Sequence, residues 1–340
     1  MGETLLEVRD LKVHFDTPDG VVKAVDGVSF TVERGETLGV VGESGSGKSV
    51  TFLTAMGLIN RKSAHVEGEI LFQGRDLLQL PTDELRKIRG NYMGMVFQDP
   101  MTSLHPMYRV GDQIVEAIRA HEDVDKDKAM EQAIEMLDTV GIQQPDERAR
   151  QYPHEYSGGM RQRAMIAMAL SLNPHLLIAD EPTTALDVTV QAQILELMDR
   201  LKSEFNVGVV LVTHDLGVVA DVAQKVMVMY AGRQAELGPA SKVFEQPLHP
   251  YTWGLLESIP HVDTKGTRLV PIEGSPPSLI HVPPGCAFHP RCPHRFEPCD
   301  KEVPDLKDRG GDHPDACHLS IEAKRTKWAE REARRRKATA

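Results

Sequence analysis

Apolar runs broken by glycine, proline and aspartate clusters divide the chain into predicted elements. Leu5-Leu6-Glu7-Val8-Arg9-Asp10-Leu11-Lys12-Val13-His14-Phe15 alternates in part and predicts a strand, and Asp16-Thr17-Pro18-Asp19-Gly20 predicts a turn. Residues 21–32 predict two further short strands, broken near Asp26-Gly27. The apolar run at 37–41 predicts a buried strand, and 50–56 a helix. Residues 57–68 read as irregular, 69–72 as a short strand, and 81–89 as a helix with Thr82 as its cap. A buried-strand run at 92–97 ends at Gln98-Asp99-Pro100. From 110 to 140 the apolar period is helical, split by the charged stretch 121–128 and closed by Gly141. No strand pattern appears before Leu176, so this block predicts a helical insertion into a sheet domain. Strands are then expected at 176–181 and 207–213, with a helix at 188–201 between them. The region 236–340 is rich in Pro, His and Cys and predicts an extension with little regular core. Within it, 322–337 predicts a charged, solvated helix ending in Arg334-Arg335-Arg336-Lys337.

The chemistry sits between these elements. Gly42-Glu43-Ser44-Gly45-Ser46-Gly47-Lys48-Ser49 reads G-x-x-x-x-G-K-[ST] between a predicted strand and a predicted helix, the context a phosphate-binding loop requires. Its glycines let backbone N–H groups turn toward phosphate oxygens, and the following helix adds the positive end of its dipole. Lys48 is expected to reach the β- and γ-phosphates, and Ser49 to hold Mg2+. The strand at 176–181 ends in Asp180, suited to ordering Mg2+, and Glu181, suited to polarising an attacking water. Gln98 and His214 end other strands, expected on the same sheet edge. Gln98 could reach the Mg2+ or the water, and His214 reads as a catalytic group. Ser157-Gly158-Gly159 opens a helix whose exposed N–H groups suit a second phosphate contact. Phe15 is the aromatic placed to stack on a nucleotide base, with a strand-end core residue as the alternative reading.

Composition narrows the classes. The chain has 340 residues, 41% of them hydrophobic, enough to bury a full core. A net charge of −11 argues against a broad nucleic-acid surface. No apolar run approaches the ~18 residues of a membrane span. Residues 1–7 lack a basic region followed by an apolar one, so no signal peptide is expected. The expected location is cytosolic, or docked on a membrane through other chains. The four cysteines, Cys286, Cys292, Cys299 and Cys317, are separated by five, six and seventeen residues. A reducing compartment disfavours disulfides, and zinc usually takes cysteine pairs two to four residues apart. An iron–sulfur cluster also accepts four thiolates, so cluster, zinc and unmetallated thiols stay open.

Taken in order over about residues 5–260, these motifs resemble the nucleotide-binding subunit of ATP-binding-cassette (ABC) transporters. Two signature positions depart from the family pattern: Tyr156 stands where leucine is usual, and Met160 where glutamine is usual. The resemblance implies an α/β fold, with a P-loop NTPase (RecA-like) core, an antiparallel β subdomain, a helical insertion and a loop-rich C-terminal extension. The implied division is 1–98 with 168–235 as nucleotide-binding core, 99–167 as helical subdomain with the signature, and 236–340 as the extension. Two cassettes would stack head to tail, each ATP held by the phosphate loop of one and by Ser157, Gly158 and Gly159 of the other. Glu181 would act as base, with His214 on the γ-phosphate. Gln98 would couple the site to a membrane subunit, and the Asp187 turn would lie at the interface.

The segment 97–106 and the cysteine region are similar to the D-type ATPase of the oligopeptide/dipeptide importers, a group that also includes nickel importers. That similarity implies a [4Fe–4S] cluster on the four cysteines. It also implies two integral-membrane permease subunits, a second and paralogous ATPase, an extracytoplasmic binding protein and no nucleic acid. The chain is then expected to be peripheral on the cytoplasmic face of the inner membrane, energising peptide import. Nickel import is the near alternative, and a soluble ABC ATPase of DNA repair or translation the distant one. The helical block is too short for a repair enzyme's coiled coil, and there is one loop and one signature where translation members usually carry two. A P-loop kinase would not need the Ser157–Gly159 signature or His214.

Overall fold

β1 (Thr4–Thr17) and β2 (Gly20–Glu33) form a long antiparallel hairpin. The computed structural model describes residues 2–184, 186–258, 271–308 and 310–339. Ala185 of the expected Asp187 turn lies outside these residues, as do the side chains of Arg335, Arg336 and Lys337 at the expected basic end. The expected break at Asp26-Gly27 is instead a bulge in one continuous strand. Leu11 pairs Val28 and Lys12 pairs Asp26, leaving Gly27 as the extra residue at φ +91°. β3 (Thr37–Val41) follows, then β4 (Ala64–Phe72), which starts well before the expected 69, and β5 (Arg75–Asp76). β6 (Met93–Val96), β7 (Leu176–Asp180), β8 (Gly208–Thr213), β9 (Lys225–Tyr230) and β10 (Arg233–Pro239) complete the larger strands. β11 (Lys307–Asp308) and β12 (Pro314–Asp315) are two-residue additions.

Among the described residues these make two sheets. One is antiparallel, in the order β2-β1-β4-β5. The other runs β11-β12-β10-β9-β3-β8-β7-β6 and is parallel from β9 to β6. Every residue of β3, β7 and β8 is buried, as expected of strands covered on both faces. Alternation assigns each face its core. Leu176, Ile178, Val210 and Val212 pack toward the antiparallel sheet, with Phe30, Phe52 and Phe72. Leu177, Ala179, Val209 and Leu211 pack toward the helices on the opposite face.

The phosphate loop leads into α1 (Lys48–Ala55). α2 (Thr82–Ile88) begins at Thr82 itself; Pro81 occupies the cap and no side chain caps the helix, so the Thr82 expectation is corrected. The helical block is α3 (Pro100–Ser103), α4 (Val110–Arg119), α5 (Lys126–Thr139), α6 (Pro145–Arg148) and α7 (Gly158–Leu170). Its apolar positions, among them Ile114, Ile118, Ala133 and Leu137, meet α8 (Val188–Phe205) in the second core. α9 (Leu216–Val222) follows β8.

The extension is loop-rich as expected, yet it has its own core. α10 (Ala240–Glu245), α11 (Pro250–Glu257) and α12 (Ile321–Thr339) enclose Tyr251, Trp253, Phe288 and Trp328, all at most 6% exposed. β10 joins the main sheet, and its Glu236, fully buried, is the polar anchor. Glu236 accepts the N–H groups of Leu248 (2.7 Å) and His249 (3.0 Å) and the Thr252 hydroxyl (2.6 Å), and pairs with His313 at 2.7 Å. On β12, which pairs with β10, Asp315 meets the Lys324 ammonium of α12, both fully buried.

Candidate nucleotide-binding and catalytic site

β3, β6, β7 and β8 run parallel, so their C-terminal ends share one edge, where an open α/β sheet places its ligand. The phosphate loop leaves β3 there. Gly47 stands at φ +99°, and a Cβ on it would come 2.2 Å from the Ala24 carbonyl oxygen, so the loop is closed against β2 in a shape only glycine permits. The Ser46 carbonyl accepts the Gly232 N–H at 3.0 Å, tying the loop to the turn after β9. Ser44 and Gly45 are exposed, while Gly42 is buried. Ser46 Oγ is buried and has no hydrogen-bond partner among the described residues.

Lys48 is 5% exposed and donates to the carbonyls of Gly42 (2.8 Å) and Glu43 (3.0 Å). Burial lowers its pKa, opposed by the carboxylates of Glu181, Asp180 and Glu43. Ser49 donates its hydroxyl to Asp180 Oδ1 at 2.9 Å. Burial raises the Asp180 pKa, and that hydrogen bond opposes the rise.

Glu181 follows the last residue of β7 at φ +47°, a conformation uncommon outside glycine. Its amide still donates to the Val212 carbonyl at 2.8 Å, so the backbone turns while the ladder holds. One carboxylate oxygen, Oε2, accepts the Gln98 amide at 3.0 Å and the Thr184 hydroxyl at 2.9 Å, and lies 3.5 Å from His214 Nδ1. Gln98, Glu181 and His214 are thus brought together. Gln98, expected to reach the Mg2+ or the attacking water, is tied to Glu181 here.

The other expected residues have other partners. Ser157 caps α7, its hydroxyl accepting the Met160 N–H at 3.3 Å. Gly158 and Gly159 pack near Leu186 and Val190, on the face of α8 whose N-cap is Asp187; Asp187 accepts the Val190 N–H at 3.0 Å. Tyr156, the departure from the signature pattern, is buried and donates its hydroxyl to the Arg148 carbonyl at 2.9 Å; burial pushes its pKa up to about 12. Phe15 is half-buried, opposite Val22 and Ala64, and packs against the first core.

Three groups escaped the sequence reading: Thr184, Arg291 and Tyr251. Thr184 was legible as a hydroxyl three residues after Glu181. Arg291 forks onto Glu43 of the phosphate loop at 2.6 and 3.0 Å, and the Tyr251 hydroxyl accepts the Glu43 N–H at 2.9 Å. Sequence separations of 248 and 208 left no local signal for either.

The four cysteines lie in the C-terminal extension. All four are free thiols, Cys299 and Cys317 buried and the other two partly so. Burial pushes the thiols of Cys286, Cys292 and Cys317 up to about 11, and neighbouring cysteines of the same set add to the rise. Among the described residues no group of three or more His, Cys, Asp or Glu could hold a metal ion. The expected [4Fe–4S] cluster and the zinc alternative are not supported by this arrangement, and no role is derived for either.

Residues 25–184 match the ABC transporter family, and residues 235–299 match the oligopeptide/dipeptide transporter, C-terminal region. The oligopeptide transport ATP-binding protein OppD of Salmonella typhimurium is 54% identical over 303 residues, 89% of this chain and 90% of that protein. The dipeptide transport ATP-binding protein DppD of Bacillus subtilis is 53% identical over 318 residues, 93% of this chain and 95% of that protein. Among solved structures, a dimeric ATP-binding cassette in a post-hydrolysis state, bound to ADP and Pi, matches with a TM-score of 0.63 at 26% identity. It covers 69% of this chain and 99% of that one. At this identity and coverage, over a phosphate loop and strand-end cluster of this geometry, the chain belongs to the ATP-binding subunits of ABC transporters.

Proposed function

We propose that this chain hydrolyses ATP to energise peptide import across the cytoplasmic membrane, as one of two cassettes. The observation that carries the reading is the Glu181 carboxylate, held by Gln98 and Thr184 and facing His214 beside the phosphate loop. Lys48 and the loop of Gly42, Ser44, Gly45, Ser46 and Gly47 would hold the triphosphate, with Phe15 as the ring for the base. Ser49 and Asp180 are two hard oxygen donors side by side, and they fit Mg2+, which often takes only one or two protein ligands beside substrate phosphates. When bound, Mg2+ supplies positive charge against the phosphates. Glu181 would take the proton from the attacking water, with His214 steadying charge on the γ-phosphate. Phosphoryl transfer needs positioning and charge stabilisation more than covalent help, which suits side chains this tightly tethered.

Ser157, Gly158 and Gly159 stand at the start of α7, with Leu186 and Val190 beside the two glycines. That supports their serving a second cassette across a head-to-tail interface, with the Asp187 turn alongside. The second cassette is read as a paralogue. The remaining partners are two integral-membrane permeases and, through them, an extracytoplasmic binding protein. No helix among the described residues is long and apolar enough to cross a membrane, consistent with a peripheral subunit on the cytoplasmic face. Residues 1–98 with 168–235 would form the nucleotide unit, 99–167 the helical subdomain, and 236–340 the extension. Peptide as cargo is supported by the OppD and DppD relatives.

The test is purification of the chain from its native membranes in mild detergent, followed by peptide-stimulated ATP turnover. Two permeases and a second cassette should accompany it, and dipeptides or oligopeptides should raise turnover when the binding protein is supplied. Recovery from the soluble fraction with ribosomes or repair proteins would overturn the transport reading.

A further inference from the structure

We propose that Arg291 is a positioning residue of the nucleotide site: a cation lent by the C-terminal extension that cancels the charge of Glu43 inside the phosphate loop. The inference rests on reading residues 42–49 as the loop that holds the triphosphate. A loop built to gather anions is poorly served by a carboxylate of its own, since like charges at close range oppose one another. Glu43 is the second residue of that loop, and its own carbonyl is a partner of Lys48. Left unpaired, its carboxylate would repel a triphosphate and compete for the Lys48 ammonium.

The structure turns that carboxylate onto Arg291. Nη1 donates to Oε2 at 2.6 Å and Nη2 to Oε1 at 3.0 Å, the two-pronged geometry that lysine cannot copy. The guanidinium is 5% exposed in its side chain and has little freedom to swing away. Nε donates to the Glu273 carbonyl at 2.9 Å, Nη2 to those of Ile272 (3.3 Å) and Gly274 (3.2 Å), and Nη1 to the Tyr230 hydroxyl at 3.3 Å. Tyr251 holds the Glu43 N–H from another element of the extension. Pro276, Pro277 and Leu279 line the same hollow as Ser44, Gly45 and Ser46, so the extension forms one wall of the loop's mouth.

Simple mechanical support and charge cancellation predict different signs. If Arg291 only props the loop, cutting the pair from either side weakens ATP binding. If it cancels charge, Arg291→Gln exposes the Glu43 carboxylate and weakens binding. Glu43→Gln instead leaves a surplus cation and tightens it.

The experiment is the dissociation constant for MgATP of the full-length chain and its variants, by equilibrium fluorescence at low salt. Expected results are a roughly fivefold weaker constant for R291Q, a roughly twofold tighter one for E43Q, and a double variant between the two. R291K, keeping charge but not the fork, should lose less than R291Q. Should R291Q fail to fold, E43Q and R291K still decide: weaker binding in E43Q overturns the proposal, as does R291Q binding like the wild type. Wild-type chain that binds no MgATP would overturn the nucleotide-loop reading as well, which separates the two failures.

Discussion

Gln98 and Glu181, 83 positions apart, are joined by a hydrogen bond of 3.0 Å from the glutamine amide to the carboxylate. The ends of β6 and β7 are thereby coupled through one carboxylate oxygen. A shift of the glutamine segment, which leads directly into the exposed Met101, Met107 and Tyr108, would be felt at Glu181.

Glu181→Gln keeps the shape and an accepting oxygen for Gln98 and Thr184 but removes the base. Turnover should fall about 10²- to 10⁴-fold while MgATP affinity stays within about threefold. Phosphate release and equilibrium ATP binding measured on the same preparation check this. Undiminished hydrolysis would remove Glu181 from its role.

Ser49 and Asp180 lie 2.9 Å apart, oxygen to oxygen. Chelation of Mg2+ should abolish turnover in the wild type. Ser49→Ala should raise the Mg2+ concentration for half-maximal turnover about tenfold. Magnesium titrations at fixed ATP read this out, and an unchanged midpoint would take Ser49 out of the ligand set.

Two glycines of the loop should differ in cost. At Gly47 (φ +99°) a Cβ meets the Ala24 carbonyl oxygen at 2.2 Å, whereas at Gly45 (φ +76°) nothing lies within 4 Å. Gly45→Ala should cost about 1 kcal/mol of backbone strain, and Gly47→Ala about 3 kcal/mol or more because the neighbouring strand must also shift. Thermal melting should rank Gly47→Ala well below Gly45→Ala; equal melting temperatures would contradict the close approach to β2.

The parallel core was legible because β3, β7 and β8 are buried on both faces and so read as unbroken apolar runs. The strand-end positions of Gln98, Glu181 and His214 followed from the same runs, since a polar residue closing a buried strand stands out. What escaped was carried by irregular backbone or by long separations. Gly27 looks like a terminator because a bulge and a break use the same residue. The first half of β4 hides because Glu67, Gly68 and Glu69 are all exposed and no alternation survives. The extension's core escaped because Trp253 and Phe288 sit in proline-punctuated stretches with no period, and Trp328 is a lone aromatic in a charged helix. The Arg291–Glu43 pair joins two residues that no local pattern singles out.

That extension should also make the fold acid-sensitive in a defined window. His249 caps α11 by accepting the Tyr251 N–H at Nδ1 (3.0 Å), so the ring must be neutral there. Burial, with the Lys324 cation adding to it, pushes its pKa down to about 3, while in the unfolded chain an ordinary histidine titrates near ~6.5. Between those values the unfolded chain binds a proton that the fold refuses. Stability is therefore complete above about pH 6.5 and is lost as pH falls toward about 3. His294, pushed down to about 4 by burial and then by Arg331, loses stability over the upper part of the same range. Melting temperature should decline from pH 7 to 4.5, and His249→Asn, which keeps a capping acceptor but does not titrate there, should flatten the decline. Since Tyr251 also holds the Glu43 amide, MgATP binding should weaken in the wild type over the same interval and less so in the variant. Parallel melting slopes for the two proteins would place the acid sensitivity elsewhere.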